Sequence, residues 1–506
     1  MTQRIVVLGG GTAGWMAAAT AARLLGPAGW TVTLVESDAI PTVGVGEATI
    51  PPIRTFHAML GVDEADFLRA TGGSWKLGIR FEGWSGQGSS YLHAFGRPGT
   101  DVGGLPFHAQ WLRARAAGQA EALERYWLEA RAAEEGRFAH PLDNGDSPLS
   151  RITYAYHFDA GRYATFLRRH AEAMGASRVE GTVEGVERGA AGIAALVLAD
   201  GRRIEGDLFL DCSGFASLLL GEALGVGWVD WSHWLPCDRA VAVASSADAA
   251  PLPLTRSIAH AAGWQWRIPL RHRTGNGRVF CSAYLSEDQA TAELLASLET
   301  PPIAEPRVLR FSTGHRQAFW AQNCVALGLA SGFMEPLEST SIHLVQAGLQ
   351  HLLQHLPGAA AGPDAVAAAR ARYNRVMTTE FERIRDFLVA HYYLNQRPER
   401  FWQDRRAQTP PPGLAEKLAL FAGGGRLFRE DDELFNAWSW LALLTGQGAP
   451  ALGHDPVCDA WPLARVADRL ARIEAVVTAS LDHMPPHAEA LARLESLPTD
   501  AALAAC

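Results

Sequence analysis

The pattern of apolar and polar residues at the start of the chain predicts a strand, a turn, a helix and a second strand. Arg4–Leu8 is rich in β-branched residues, and the Ala-rich stretch Trp15–Leu25 has the composition of a buried helix. The glycine run Gly9–Gly14 lies between them and predicts a tight turn. Thr31–Val35 predicts the next strand, which ends at Glu36. This order of elements is typical of an α/β module.

Patterning with a period of two residues returns in the middle of the chain. It predicts strands at Ala194–Leu198 and Leu208–Asp211, on either side of the turn signal Asp200-Gly201. Strands are also predicted at Arg239–Ala244 and Ser257–Leu270.

Two further features complete the prediction of local structure. Thr274–Gly277 (TGNG) predicts a hairpin turn before a strand at Arg278–Leu285, and helical patterns cover Pro106–Glu135, Arg162–Met174 and Thr340–Leu356. After about residue 360 the pattern is mainly helical. We therefore predict an α/β fold with a mixed sheet, in which residues 1–350 form a Rossmann-like nucleotide-binding module with inserted substrate-facing strands and helices. Residues 351–506 form a mainly helical part packed on it.

Composition and charge exclude several classes of protein. Of the 506 residues, 48% are hydrophobic and 20% are charged, which is the balance of a globular protein. The net charge of −9 argues against nucleic acid or an anionic membrane as a partner. No apolar run reaches the roughly 18 residues that a membrane helix needs. The six cysteines lie far apart without metal-ligand spacing, and the N-terminus enters a strand directly, so we predict a cytoplasmic protein without a metal site, a signal peptide or disulfides.

The glycine turn carries the first functional signal. Gly9, Gly11 and Gly14 have the spacing that lets the backbone meet a pyrophosphate at a helix N-terminus. Glu36, at the end of the second strand, is placed to accept a hydrogen bond from a ribose hydroxyl. The alternative is an ordinary glycine turn. FAD is favoured over NAD because Gly206–Gly214 (GDLFLDCSG) resembles a later strand and turn of FAD-binding folds, although a buried strand would look similar.

Three further motifs lead to a family. Trp264 and Trp266, two residues apart before Ile268-Pro269, would form an aromatic wall on one face of a strand, or else an ordinary tryptophan pair in a core. Together with Trp75–Phe81 (WKLGIRF) and Glu335–Ile342 (EPLESTSI), they resemble the flavin-dependent halogenases of the tryptophan-halogenase family. The resemblance runs from Arg4 to about Gly448.

The resemblance implies a reaction. Reduced FAD and oxygen give a peroxyflavin that oxidises chloride or bromide to hypohalous acid, which halogenates an electron-rich aromatic, an indole in the branch that this chain resembles. The partners would be a small aromatic substrate and a separate NAD(P)H-dependent flavin reductase, and the chain would be a monomer or a homodimer.

Two residues are implied to be catalytic. Lys76 matches the lysine that activates hypohalous acid by hydrogen bonding or as a haloamine, whereas without the resemblance it would be interpreted as a surface lysine. Its apolar neighbours would exclude water and leave a neutral or strongly donating amine. Glu338 would steady the cationic ring intermediate or accept its proton, and its alternative role is to compensate a helix N-terminus.

The remaining site residues follow from the same resemblance. Halide would bind the backbone amides of Thr340 and Ser341, where tryptophan-specific relatives usually have Gly in place of Ser341. Trp264 and Trp266 would separate flavin from substrate and leave a passage for hypohalous acid. The other predicted substrate residues are His93, Phe95 and Ser339, of which His93 and Phe95 could also be plain packing residues. The predicted flavin-binding residues are Gly9, Gly11, Thr12, Ala13, Gly14, Trp15, Glu36, Gly46, Glu47, Ala48, Val183, Leu337 and Ile342.

Motifs that the chain lacks narrow the prediction of how the flavin is reduced and which substrate is bound. Gly328–Ser331 (GLAS) lacks the acid that many FAD monooxygenases place near the ribityl chain, and the chain has no second glycine fingerprint for a nicotinamide. Val43–Pro51 resembles a flexible strap over the flavin, or is a simple Gly-rich turn. The region Phe435–Gly448 resembles the branch that lacks the tyrosine-rich lid of the tryptophan-specific enzymes. Two alternative functions remain, a flavin-dependent hydroxylase and a non-catalytic flavin-binding protein.

Overall fold

The structure is a computed structural model that describes residues 3–40, 46–143, 145, 147–358 and 360–496. The strands of the described residues are β1 (Gln3–Leu8), β2 (Trp30–Glu36), β3 (Gly46–Ala48), β4 (Ser74–Lys76), β5 (Gly78–Glu82), β6 (Ser90–Ala94), β7 (Ala155–Asp159), β8 (Ser177–Glu180), β9 (Val183–Gly189), β10 (Gly192–Leu198), β11 (Arg203–Glu205), β12 (Leu208–Asp211), β13 (Trp228–Asp230), β14 (Arg239–Ser245), β15 (Leu254–His260), β16 (Gly263–Pro269), β17 (Thr274–Phe280), β18 (Arg307–Arg310), β19 (Gly314–Arg316), β20 (Trp320–Ala321), β21 (Cys324–Ala326) and β22 (Gly332–Phe333).

The α-helices of the described residues are α1 (Thr12–Leu25), α2 (Pro52–Leu60), α3 (Glu64–Thr71), α4 (Phe107–Ala116), α5 (Leu128–Glu134), α6 (Ala160–Ala173), α7 (Glu287–Ala296), α8 (Ser341–His355), α9 (Pro363–Leu394), α10 (Arg400–Arg406), α11 (Pro412–Gly424), α12 (Ala437–Gly446), α13 (Leu463–Leu481) and α14 (His487–Ser496).

The chain divides into two compact units, each made of three segments. The first contains Met1–Gly73, Phe158–Asp238 and Arg310–Glu382, and the second contains the remaining three segments, Ser74–His157, Arg239–Leu309 and Arg383–Cys506. We predicted a different kind of division, at residue 350, where the mainly helical part of the chain begins. That boundary stays a prediction.

The first unit is built on a sheet with the strand order β20-β21-β12-β1-β2-β8. All its pairs are parallel except β20 with β21. Helix α1 packs against β1 and β2 and contacts both α6 and α8. Both faces of a parallel sheet are covered by other parts of the protein, so its strands are buried on both sides. This explains the continuous apolar run of β1. The carboxyl ends of β1 and β2 lie together, so the glycine turn after β1 and Glu36 at the end of β2 meet at one edge.

The second unit contains a sheet in which six strands follow the order β14-β17-β16-β15-β5-β6. Its pairs are antiparallel except β15 with β5. Helix α7 covers β14 and β17, where Val241, Phe280 and Leu294 form a local apolar cluster. The predicted α/β fold with mixed sheets is confirmed.

Several predicted elements differ from the structure. The hairpin predicted at Thr274–Gly277 is wrong, because these residues lie inside β17, which pairs with β14 on one side and β16 on the other. The single helical pattern Pro106–Glu135 is broken after α4, where Gly118 adopts φ 68° and ends the helix. The stretch Ser257–Leu270 forms two antiparallel strands, β15 and β16, rather than one. Leu208–Asp211 pairs with β1 and not with β10, the strand before the Asp200-Gly201 turn. The strand that β10 pairs with across this turn is the short β11.

Candidate functional site

The glycine turn after β1 has the close packing that a dinucleotide requires. Gly9 adopts φ 113°, and a Cβ atom there would lie 2.2 Å from the carbonyl oxygen of Cys212. A Cβ on Gly14 would lie 1.8 Å from the carbonyl oxygen of Gly9. Gly11 is the N-cap of α1 and supplies no side-chain cap, so the first amides of the helix stay open to a ligand. The geometry fits the pyrophosphate of a dinucleotide such as FAD.

The carboxylate of Glu36 is held at this turn by contacts that the sequence did not reveal. A Cβ on Gly10 would lie 1.4 Å from Oε2 of Glu36, so only glycine fits beside it. Arg178 on β8 donates through Nε to Oε1 of Glu36 and also pairs with Asp38. The hydrogen bond to Glu36 raises the pKa of Arg178 above its ordinary value. These contacts fix the direction of the Glu36 carboxylate, as an acceptor for ribose hydroxyls requires.

The other predicted flavin-binding residues fall at defined places in the first unit. Thr12 and Ala13 begin α1, where the Thr12 hydroxyl lies 3.5 Å from the carbonyl oxygen of Ala160, and Trp15 is buried in the same helix. Val183 begins β9. Five further members are placed as follows: Gly46, Glu47 and Ala48 form β3, and Leu337 and Ile342 are buried on either side of the start of α8. Val43–Val45 of the predicted strap lie outside the described residues.

The segment before α8 is buried and strained. Glu338 is 1% exposed and ends a single 3₁₀ turn, Pro336–Glu338. The next residue, Ser339, adopts φ 60°, which places it among three non-glycine residues with positive φ in the described chain. Such backbone strain concentrates at functional sites. Thr340 is the N-cap of α8 but makes no side-chain cap hydrogen bond, so its side chain leaves the first amides of the helix uncapped.

Lys76 is wholly buried in the second unit. It ends β4, which pairs with β7 through Ser74 and His157, Trp75 and Tyr156, and Lys76 and Ala155 in register. Its Nζ atom lies 5.4 Å from the centre of the Phe95 ring. Lys76 is one of two lysines in the chain, and the other is Lys417. Arginine supplies the rest of the 45 lysine and arginine residues. A lysine at a buried position therefore indicates a need for an amine that can lose its proton, which the guanidinium group of arginine does not do.

A hydrogen-bonded group of side chains fixes the strand that carries Lys76. The Ser74 hydroxyl donates to the carbonyl oxygen of Pro269 at 3.1 Å and lies 3.3 Å from Nδ1 of His157. The other ring nitrogen, Nε2, lies 2.9 Å from the Thr255 hydroxyl. Burial, followed by the charges of Lys76 and His487, lowers the pKa of His157 well below its ordinary 6.5. His157 is therefore neutral and holds β4 in place without adding a charge beside the amine.

The two residues of the predicted tryptophan wall, Trp264 and Trp266, lie on β16. Trp264 and Trp266 are 1% and 6% exposed, and their ring centres lie 6.1 Å apart at an angle of 58°. The glycine opposite explains how the second ring fits, because a Cβ on Gly277 would lie 2.0 Å from the Trp266 ring. The Trp266 indole N–H is buried and has no acceptor among the described residues. Such a donor costs free energy unless a ligand or water satisfies it.

The predicted substrate residues His93 and Phe95 lie on and just after β6. Both are buried, and the Phe95 N–H donates to the carbonyl oxygen of Leu77 at 2.8 Å. The carbonyl of Phe95 accepts from Nε1 of Trp127 at 2.6 Å. The His93 ring packs 5.6 Å from Phe387 and so belongs to an aromatic cluster. The structure thus brings Phe95 to Lys76, and it gives His93 a packing role as well.

In the acidic run Asp431-Asp432-Glu433, the first two residues are exposed and the third is buried. Glu433 is 1% exposed, pairs with Lys417 at 3.0 Å and accepts from Nε1 of Trp440 at 3.0 Å. Helix α12 begins four residues later, where Asn436 caps it through the N–H groups of Trp438 and Ser439. Glu433 therefore already binds an internal ammonium, that of Lys417.

Among the described residues, no cluster of three or more histidine, cysteine or acidic side chains could hold a metal ion. No helix in this part of the chain is both long and apolar enough to cross a bilayer. The five cysteines in this part of the chain are buried free thiols.

Comparison with solved structures identifies the class. The flavin-dependent halogenase Xcc4156 of Xanthomonas campestris superposes with a TM-score of 0.93 and 48% identity, covering 98% of each chain. BrvH, a flavin-dependent halogenase of Brevundimonas sp. BAL3, gives a TM-score of 0.92 and 46% identity over 98% of this chain and 99% of its own. With the dinucleotide turn and the buried lysine, these similarities define a flavin-dependent halogenase, an oxidoreductase that uses FAD and halide.

Sequence comparison names the family. The family described as tryptophan halogenase matches residues 4–463. Tryptophan 7-halogenase RebH of Lentzea aerocolonigenes is 35% identical over 512 residues, which cover 90% of this chain and 92% of RebH. The chain belongs to the tryptophan halogenase family.

Proposed function

We propose that the enzyme halogenates the ring of an indole with hypohalous acid that is delivered to Lys76. The observation that carries the proposal is the position of Lys76, which is wholly buried with its amine over the Phe95 ring. A second aromatic ring stacked near Phe95 would lie within reach of that amine. When bound, reduced FAD with oxygen supplies the oxidising power that converts halide to hypohalous acid.

Lys76 would present the halogen to the substrate in one of two ways. As a hydrogen-bond donor, the ammonium would polarise the bound hypohalous acid. As a haloamine, the neutral nitrogen takes the halogen while hydroxide leaves with the amine proton as water. The lack of water around a wholly buried amine protects either species from hydrolysis. His157, neutral and fixed by Ser74 and Thr255, would keep β4 and its lysine in register.

Glu338 would accept the proton that the ring loses after it gains the halogen. Its carboxylate is 1% exposed, and a carboxylate in such surroundings stabilises a nearby cation strongly because little water screens it. Ser339, in its left-handed conformation, would set the direction of the segment between the carboxylate and α8.

The start of α8 would hold the halide. The amides of Thr340 and Ser341 are the first of a 15-residue helix, and the Thr340 side chain does not cap them. Open amides and the helix dipole both favour an anion there. Ser341 adds a side chain that would narrow the site, so we expect the choice between chloride and bromide to depend on this position.

The FAD would be reduced elsewhere, by a separate NAD(P)H-dependent reductase. At the turn Gly328–Ser331 the Ser331 hydroxyl donates to the carbonyl of Gly328 at 2.7 Å, and no carboxylate stands in this turn to grip the ribityl chain. Reduced FAD would bind through Gly9, Gly14 and Glu36. We expect weak binding of oxidised FAD and no NADH oxidation by the purified chain alone.

Trp264 and Trp266 would keep the aromatic substrate away from the oxidising group and let only small hypohalous acid pass. The buried, unsatisfied N–H of Trp266 supports this role, because a passing hypohalous acid molecule would give it an acceptor.

The decisive experiment supplies the purified chain with indole, a regenerating flavin reductase, FAD, NADH and either chloride or bromide. We expect halogenated indole only when halide and reductase are both present. Hydroxylated indole in the absence of halide would identify a hydroxylase instead. Flavin binding without any indole product would support a non-catalytic flavin protein.

A further inference from the structure

A cavity of about 850 Å³ opens in the second unit, the unit that also contains Lys76 and Phe95. Its wall includes Gly96, the residue after Phe95, together with Trp438 and Trp461. Small-molecule sites typically measure about 300–1,000 Å³, so this volume lies toward the upper end. An unsubstituted indole would leave much of it unfilled.

Five arginines line the cavity: Arg97, Arg151, Arg465, Arg469 and Arg472. Three of them lie on α13 at positions i, i+4 and i+7, a spacing that places side chains on one face of a helix. Ile473 and Val477 continue the same face and also line the cavity. One face of α13 therefore carries both charge and apolar surface toward the cavity.

Arg469 is the buried member of the group. It is 8% exposed and donates to Oε1 of Gln110 at 2.7 Å and to the Thr100 hydroxyl at 3.2 Å, which are neutral acceptors. Burial lowers the pKa of Arg469; nearby Asp101 acts in the opposite direction, and Arg472 lowers the pKa further. Arg472 lies three residues further along α13 and lines the same cavity.

The positive charge of the cavity is not neutralised by its wall. Among the described residues, none of the five arginines forms an ion pair with a carboxylate within 4.0 Å. The carboxyl group in the wall, Glu129, is buried, and burial raises its pKa to about 8. Glu129 is therefore mainly protonated at neutral pH. Glu474 on the same helix pairs with Arg125 instead.

We infer that the cavity binds an anionic group, carboxylate or phosphate, that the aromatic substrate carries on a short chain. Guanidinium groups match both anions bidentately. The same five charges disfavour the ammonium of a free amino acid. The inference rests on the proposed function because it assigns the substrate of the same site: an indole with an acidic side chain.

The first test compares isosteric substrates at low ionic strength. Indole-3-propionate and its neutral amide differ in charge but little in shape. We expect kcat/KM to be at least tenfold higher for the acid, through a lower KM, and we expect added salt to reduce the difference. Tryptophol phosphate, measured in parallel, shows whether the cavity prefers phosphate to carboxylate. Equal values for acid, phosphate and amide would overturn the inference.

A second measurement does not need turnover. Calorimetric titration of the chain without flavin should show at least tenfold tighter binding of indole-3-propionate than of its amide. If the protein binds the acid selectively but halogenates nothing, the proposed function fails and the anion site stands. If it halogenates indole but binds acid and amide equally, the anion site fails and the proposed function stands.

Variants locate the site. The double variant Arg465→Gln/Arg472→Gln removes the two solvent-exposed arginines of α13 and leaves the buried Arg469. We expect the ratio of acid to amide affinity to fall close to one. The matched control is Arg188→Gln, an exposed arginine on β9 in the other unit, which should keep the full ratio. An unchanged ratio in the double variant would show that α13 does not bind the anion.

Discussion

The amine nitrogen of Lys76 lies 5.4 Å from the centre of the Phe95 ring, and both side chains are buried. This separation is within the roughly 6 Å at which an ammonium and an aromatic face attract each other. The chain reaches this arrangement by running from β4 directly into β5, which pairs with β6, the strand before Phe95. An aromatic substrate that stacks at Phe95 would therefore meet the amine at its edge.

Replacement of Lys76 should separate flavin chemistry from halogenation. We expect Lys76→Ala and Lys76→Arg to lose at least 1,000-fold in halogenated product, roughly the loss of a group essential to the chemistry, while flavin oxidation and hypohalous acid formation continue. Arginine fails because its guanidinium does not release a proton. Rapid-mixing spectroscopy beside product analysis checks both steps.

The chain offers a matched control for this experiment. Lys417, the only other lysine, is also largely buried but pairs with Glu433, so Lys417→Arg should retain halogenation. If Lys76→Arg forms nearly as much halogenated product as the wild type, Lys76 has only a structural role.

Loss of the carboxylate of Glu338 should slow the chemical step. We expect Glu338→Gln to lower kcat by about 10²–10⁴, the usual contribution of a positioned proton acceptor, with little change in KM. Glu335→Gln is the matched variant, because Glu335 is also 1% exposed and precedes Glu338 by three residues. Steady-state kinetics on both should show the larger loss at Glu338, and equal losses would indicate that both carboxylates only support the fold.

Gly277→Ala should displace the Trp266 ring. An added Cβ would lie 2.0 Å from that ring, so the indole must move, at a cost of about 1–3 kcal/mol in stability. We expect less halogenated product per reduced flavin and more released hypohalous acid. Gly185→Ala on β9 is the control, because its Cβ would meet Val197 at an ordinary 3.7 Å. Unchanged coupling in a folded Gly277→Ala protein would argue against the wall.

Acid should destabilise the fold below about pH 6.5, the ordinary pKa of histidine. Burial lowers the pKa of His57 to about 3 and that of His487 to about 4, so both stay neutral in the folded chain while the unfolded chain takes up protons. The unfolded state then binds more protons, and stability falls as pH falls. At pH 5 the loss is about 2 kcal/mol for each histidine.

Urea unfolding at pH 7.5, 6 and 5 measures this dependence. His57→Gln should flatten it, whereas His483→Gln, at an exposed position, should not. A steady free energy of unfolding from pH 7.5 to 5 would contradict the neutral histidines.

Indole should be a better substrate than free tryptophan. The tryptophan ammonium would meet an arginine-lined cavity, and Glu433, the buried member of the acidic run, already binds Lys417. An ammonium buried without a partner costs several kcal/mol. We expect kcat/KM to favour indole at least tenfold, about 1.4 kcal/mol in transition-state binding. Measurements with regenerated reduced FAD decide it, and a tenfold preference for tryptophan would refute our interpretation of the C-terminal region.

Sequence reasoning succeeded where short-range rules act. The strand–turn–helix start followed from residues within one turn of each other, and the same local geometry makes Gly9 and Gly14 obligatory. The same reasoning failed at Thr274–Gly277. Glycine is common in turns, but it is also needed in a strand such as β17, where Gly277 leaves room for the Trp266 ring. Only the packing of Trp266 distinguishes the two, and its partner lies on another strand.

The sequence by itself therefore determined the α/β class, the family resemblance and the residue types suited to halogenation, since these depend on local spacing and composition. The tertiary structure alone decided which distant side chains share a site. Arg178 binds Glu36 across 142 positions, and the arginines from 97 to 472 line one cavity. No local periodicity records such contacts, because they form only when buried surfaces pack and desolvate the charges between them.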